Sequence, residues 1–294
     1  MGHEAVRFFF DVEERLARLS RLGDQLEAFS RTVDFEVFCP DPEKALAYSD
    51  GSKCGRPRFD LVLMFKILVI QTLNNLSDER TEYLINDRLS FMRFLGSGLS
   101  DRVPDAKTVW LFRKRLTQTG TFERLFDRFD ATLRNAGYLP MSGQILNATL
   151  VAAPKPRNTN TEKVVLWAGR IPEDWQDKPA KLSHKDRHAR WTLKVTKAKW
   201  QDDGTIPSTD LAIPFFGYKS HVFIDRKFRF IQKSNAGKSV IRSRVEHVFA
   251  DQQSQTGLFI RTIGITRTTM RIGLANIVYN MRRFLFLERI DASA

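Results

Sequence analysis

The hydrophobic period of this chain changes near Gly137, and that change does most to limit its fold. Upstream, apolar residues recur at helical spacing in one segment after another. Val12, Leu16, Leu19, Leu22, Leu26 and Phe29 predict an amphipathic helix over 11–29, suited to packing or self-association. Asp60 caps a strongly apolar helix running to about Leu76, and a second helix starts at Ser77 or Asp78 and ends near Ser90. Phe91 to Leu99 reads as a short aromatic segment with Gly96 and Gly98. Pro104-Asp105 then opens a third helix through Val109, Trp110, Phe112 and Leu116, and Phe122 to Asn135 is one more, closed by Gly137. Three helices joined by tight turns make this region helix-turn-helix-like.

Downstream the period becomes two. Gln144 to Val151 reads as a buried strand. The polar stretch from Ala153 to Thr209 holds Pro154, Pro156, Pro172 and Pro179 and predicts mostly loop. Phe216 to Asp225 alternates as a strand, Arg226-Lys227 makes a turn, and Phe228 to Ile231 returns as its hairpin partner. A long helix over about Thr266 to Leu287 closes the pattern. The expected class is α+β / α/β, with a helical leader at 1–49, an all-helical region at 50–136, and a mixed domain at 138–294 carrying an insertion at 153–209. No internal repeat or low-complexity tract is visible.

With 294 residues and 42% hydrophobic content, the chain can bury a core and is not disordered as a whole. Cys39 and Cys54 fit neither a disulfide framework nor a zinc ribbon, so a reducing cytoplasm is the expected setting. The longest apolar run, from Leu61, is broken by Lys66 and is too short to span a membrane, and no signal peptide is visible behind Glu4. The net charge of +13 is uneven. Acidic residues outnumber basic ones 11 to 6 over residues 1–50, whereas basic residues lead 12 to 7 over 51–120 and 17 to 9 over 151–233. An acidic leader thus precedes a basic body that suits a polyphosphate partner. Composition leaves a merely solubilised basic surface equally open.

Several residues invite chemistry. Arg242 and Glu246 stand one helical turn apart in a basic, apolar-striped segment, and Asn147 is the polar centre of the first strand. On spacing alone Glu246 is an ordinary partner for Arg242, worth about 0.3–0.5 kcal/mol, and Asn147 fits a hydrogen-bonded strand asparagine. Arg113-Lys114-Arg115 is either a solvated helix face or a phosphate-contacting one, and its position after a helix-turn-helix-like pattern favours phosphate. Trp110 and Phe112 read as core residues. His184 and His188 have the spacing of a zinc pair on a helix, without a third ligand or an HExxH pattern.

Taken in order, these segments resemble the DDE transposases of the insertion-sequence-5 family. Gly55-Arg56-Pro57 with the helix from Asp60, and Pro104-Asp105 with Trp110 and Arg113, resemble the DNA-binding region. Phe216-Gly217-Tyr218-Lys219-Ser220-His221 resembles the second strand of the ribonuclease-H-like catalytic domain, and Arg242-x3-Glu246 its terminal catalytic helix. The resemblance implies DNA contacts by Arg56, Arg58, Lys107, Arg113, Lys114, Arg115, Lys219, His221 and Arg242. It implies catalytic positions at Asn147 and Glu246, with Glu246 a metal ligand. The implied activity is cutting and joining DNA at the terminal inverted repeats of a mobile element, using Mg²⁺ or Mn²⁺, by a homodimer acting at the nucleoid. In such chemistry two ions about 3.5–4 Å apart activate the nucleophile and stabilise the leaving oxygen.

Four departures bear on activity. Asn147 stands where the family has Asp, and one neutral amide oxygen replaces a full negative charge at the place where both ions are bridged. The sequence also passes directly from Phe228–Ile231 to the segment before Glu246, without room for the strand that carries the second Asp. Gln253 and Ser239 stand where the family has Lys and Tyr. The expectation is a truncated ribonuclease-H-like domain and a catalytically inactive copy with impaired metal binding. The alternatives are a non-catalytic inverted-repeat-binding protein that interferes with intact transposase, and a non-functional remnant. Asp225 is the candidate to substitute for a lost carboxylate. Loss of the neighbouring strands leaves an edge at Ile145, Leu146, Leu150 and Val151.

Overall fold

The computed structural model describes residues 2–38, 59–138, 144–196, 211–232 and 262–292. They form helices and a small antiparallel sheet, an α+β arrangement, divided between two compact units. The first unit comprises residues 1–146, 223–257 and 273–294, and the second comprises 147–222 and 258–272.

In the first unit the expected single helix over 11–29 is two, α1 (Gly2–Arg21) and α2 (Gln25–Thr32). Gly23 breaks it with a φ of +81°, which glycine adopts without steric cost, and Asp24 caps α2 by accepting the Leu26 N–H. Next comes α3 (Leu61–Leu73), capped by Asp60, whose Oδ2 accepts the Leu63 N–H at 3.1 Å. Apolar on every side, α3 is the centre of the unit, with Ile67, Leu68, Val69 and Ile70 fully buried. It stops short of Leu76 because Asn75 turns left-handed, with a φ of 49°, and the Leu76 N–H reaches back to the Gln71 carbonyl.

Across Asn74–Ser77 the chain axis bends by 104° into α4 (Asp78–Asp87), capped by Ser77. The short aromatic segment read over 91–99 begins in a helix, α5 (Leu89–Leu95), which buries Phe91, Phe94 and Leu95 on one face and is ended by left-handed Gly96. The connection from α5 to α6 (Ala106–Gln118) then takes residues 96–105, so not all of the turns in this region are tight. Helix α7 (Thr121–Asn135) follows at once.

Aromatic rings fill this core. Phe38 lies 4.6 Å from Phe65, and Phe35 meets Phe94 edge-on at 5.5 Å. The acidic leader is anchored by Arg93 of α5, which donates to Asp24 and Glu27 and to Ser20 Oγ. Leader and basic body are therefore ion-paired at this point. Among the described residues no single helix is long and apolar enough to cross a membrane.

The last helix is α11 (Ile265–Asp291), and from Gly273 onward it belongs to the first unit. Leu274, Ala275, Ile277, Val278 and Met281 are fully buried along one face. Gly273 is required where the Phe122 ring packs: a Cβ there would lie 2.2 Å from Phe122 Cε1. The end of the long strand β3 (Leu211–Asp225) pairs antiparallel with β4 (Ile231–Gln232), with Ile224 opposite Ile231. The expected hairpin partner over 228–231 thus contributes only Ile231 to the ladder, and 226–230 form the turn and its approach. Asn280 of α11 completes β4 as a strand would, accepting the Ile231 N–H and donating to its carbonyl, each at 2.8 Å.

The second unit holds most of β1 (Gln144–Ala152), β2 (Arg190–Thr196) and most of β3, in the order β1-β3-β2. Strand β2 runs antiparallel to β3, with Arg190 opposite Gly217 and Thr196 opposite Leu211. Strand β1 thus ends the described sheet, with β3 as its neighbour. Gly217 permits that approach, since a Cβ would sit 2.1 Å from the Val151 carbonyl oxygen.

The segment expected as mostly loop carries β2 and three short helices, α8 (Asn160–Trp167), α9 (Glu173–Gln176) and α10 (Pro179–Ser183). A capping box, Thr159 with Glu162, starts α8, and fully buried Trp175 gives the segment its own core. Glu162 Oε1 accepts from Trp175 Nε1 at 2.7 Å and from Lys181 Nζ at 3.2 Å. Burial opposes ionisation of Glu162, but these bonds and the Thr159 N–H outweigh it and hold its pKa at about 2.

Candidate nucleic-acid interface

Helix α6 presents two chemically different faces. Val109, Phe112 and Leu116 are buried. Lys107, Trp110, Leu111 and Lys114 recur at i, i+3, i+4 and i+7 on the other side. Trp110 is 39% exposed, against the expectation that it belongs to the core, whereas Phe112 at 4% fulfils that expectation. Lys114 Nζ lies 5.0 Å above the Trp110 ring centroid. The lysine thereby steadies the ring while its ammonium stays on the same face.

The N-terminus of α6 is already occupied by negative charge. Asp105 Oδ1 accepts the Thr108 N–H at 2.7 Å, and Glu82 Oε2 accepts the Ala106 N–H at 2.8 Å. An anionic ligand would meet these carboxylates at the helix end, so the basic character of α6 lies along its side.

Arg113 was grouped in the sequence with Lys114 and Arg115 as a DNA contact, but its fork closes on the protein. Nη2 and Nη1 donate to the two Asp78 oxygens at 2.7 and 2.8 Å, and Nη1 also reaches Gln71 Oε1 at 2.8 Å. Gln71 is 1% exposed and in turn donates to Asp78 and Thr81. Arg113 therefore holds α6 against α3 and α4 and sets the direction of the lysine face. Arg115 is exposed beside it.

The remaining positions are spread over the chain. Lys219 and His221 are both exposed on the same face of β3, while the alternating Tyr218, Ser220 and Val222 are buried on the other. Burial and the hydrogen bond to Asp186 push the Tyr218 hydroxyl up to about 12. Asn147 lies on β1, whereas Arg56, Arg58, Arg242 and Glu246 fall outside the described residues, as do Gln253, Ser239, Cys39 and Cys54. His184 and His188 do not share a helix, since α10 ends at Ser183, so the spacing that suggested a zinc pair is lost.

Asp225 is 1% exposed and serves the β3–β4 turn, its Oδ2 accepting the Phe228 N–H at 2.5 Å. Its Oδ1 is buried without a hydrogen-bond partner. Among the described residues no three His, Cys, Asp or Glu side chains gather into a metal-binding group. Those residues by themselves do not fit a Mg²⁺ or Mn²⁺ pair, and no metal-dependent step follows from them.

Residues 13–115 match the family model described as Transposase domain (DUF772). The matched span runs from α1 through the Lys107–Arg115 portion of α6, and it supports a transposase role. No solved structure matches the chain.

Proposed function

We propose that this chain is a transposase-type DNA-binding protein whose α6 side, carrying Lys107, Trp110 and Lys114, lies against duplex DNA at the terminal inverted repeats of a mobile element. The observation that carries the reading is the two-faced α6 inside the matched transposase domain: one face buried, the other a lysine–aromatic stripe held in place by the Arg113–Asp78 pair. Lysine ammonium groups neutralise phosphates and release counterions, and an exposed indole adds contact area beside them.

The catalytic half of the family activity is proposed to be absent. Asn147 supplies an amide where a metal-bridging carboxylate is needed, and Asp225 is buried in a turn where it caps backbone. The chain then acts as a binder of element ends, as a homodimer, able to compete with intact transposase. Full-length protein incubated with labelled inverted-repeat DNA and Mg²⁺ or Mn²⁺ tests both halves together. Protection of the repeats without strand cleavage is the expected outcome, metal-dependent nicking overturns the inactive reading, and absence of any protection overturns the binding one.

A further inference from the structure

The C-terminal half of α11, the β3–β4 turn and Gln25 of α2 line an open cavity of about 370 Å³ within the first unit. Among the described residues that line it are four arginines, Arg229, Arg282, Arg283 and Arg289, and no carboxylate. Two of them are held by the backbone around them. Arg283 Nε donates to the Phe228 carbonyl at 2.7 Å and its guanidinium lies 4.9 Å over the Phe286 ring, which fixes the plane of the fork. Arg229 takes a left-handed φ of 65° that non-glycine residues rarely adopt, with its N–H bonded to the Asp225 carbonyl and its own carbonyl accepting from Tyr279. Burial, together with the charge of Arg229, lowers the pKa of Arg283. The charges of Arg229 and Arg283 oppose each other in this partly buried site, and an anion between them relieves that repulsion.

We propose that this arginine cavity is a second DNA contact, which takes the phosphodiester backbone separately from α6. Guanidinium forks match pairs of phosphate oxygens, and Phe286, half exposed at the rim, offers an apolar surface to a deoxyribose. The inference rests on the reading that the chain binds DNA, and it adds a site whose four arginines lie outside both the transposase-domain match over residues 13–115 and the sequence motifs.

The test is the salt dependence of duplex binding by the full chain, read by fluorescence anisotropy as log K against log [salt]. Arg229→Asn suits the left-handed backbone and removes the charge, and Arg229→Lys keeps the charge. The Asn variant should flatten the slope by about 0.9, the Lys variant should restore it, and the Tm of the Asn variant should equal or exceed that of the original chain. A well-folded Arg229→Asn protein with an unchanged slope overturns the proposal. So does a cavity that is a free-anion site only, in which inorganic phosphate raises the Tm of the original chain but not of Arg229→Asn while the slope stays the same. Flattening by Lys107→Ala/Lys114→Ala without any effect of Arg229→Asn removes this site alone, whereas no salt-dependent binding by the unaltered chain removes the DNA-binding reading as well.

Discussion

Replacing Arg113 by alanine separates a residue that builds the interface from one that touches DNA. Arg113 and Asp78 keep only 19% and 15% of their side chains exposed, so solvent screens the pair weakly. The substitution removes two charge-assisted bonds to Asp78 and one to Gln71, and it leaves the buried Gln71 Oε1 without that donor. Breaking a fully buried pair costs about 3–5 kcal/mol. Asp78 retains its bond from Gln71 Nε2 and some access to water, which brings the expected loss to about 2–4 kcal/mol. Urea unfolding followed by circular dichroism should show a lower midpoint at unchanged m. Lys107→Ala, which removes the same charge from the exposed face, should stay within about 0.5 kcal/mol of the original chain. An Asp78→Ala cycle should return a coupling of about 1–3 kcal/mol. A stable Arg113→Ala protein with the original midpoint and a flatter salt slope of DNA binding would refute the reasoning, because Arg113 would then be contacting phosphate.

Glu162 ionises at about 2 in the folded chain against an ordinary 4.5, so its stabilisation is complete above 4.5 and is lost as the pH falls through about 2. Glu162→Gln should cost about 1–3 kcal/mol at pH 7 and remove that part of the acid transition; an identical transition followed through tryptophan fluorescence would contradict the bonding around Trp175. Tyr138 donates to Glu288 and Asp291 at 2.8 Å each, and burial together with these carboxylates raises the pKa of its phenol. Tyr138→Phe should lower stability by about 1 kcal/mol, and no loss in thermal unfolding would mean the hydroxyl is not bridging the two acids. Gly273→Ala would ordinarily favour a helix, yet here it should cost about 1–3 kcal/mol through the Phe122 ring, so a raised Tm would count against that packing.

Helix positions were legible in this sequence where caps and periodicity agreed. Asp60 caps a helix as expected, and Ser77 and Asp105, expected at helix starts, also cap, because a short acceptor side chain ahead of an apolar run has few other uses. Residues 153–209 were read as loop because prolines and lysines dominate, although the Thr159–Glu162 capping box was present in the sequence as a helix-start signal. The core there is one tryptophan, Trp175, too small a cluster to impose a periodic pattern. Of the basic run 113–115, sequence could not show that its first arginine closes on Asp78, 35 residues away, since that pairing depends on the 104° bend before α4. The arginine cavity escaped notice for the same reason: Arg229 joins Arg282, Arg283 and Arg289 only through the fold.

The central claim is that α6 grips duplex DNA through its lysine face. Its most direct measurement is the slope of log K against log [salt] for inverted-repeat duplex, compared between the full chain and Lys107→Ala/Lys114→Ala. Two lost phosphate contacts should flatten the slope by about 1.8 while the protein stays folded, with a loss of at most about 1 kcal/mol from the Lys114–Trp110 contact. A slope equal to that of the unaltered chain, from a variant equally well folded, would contradict the claim.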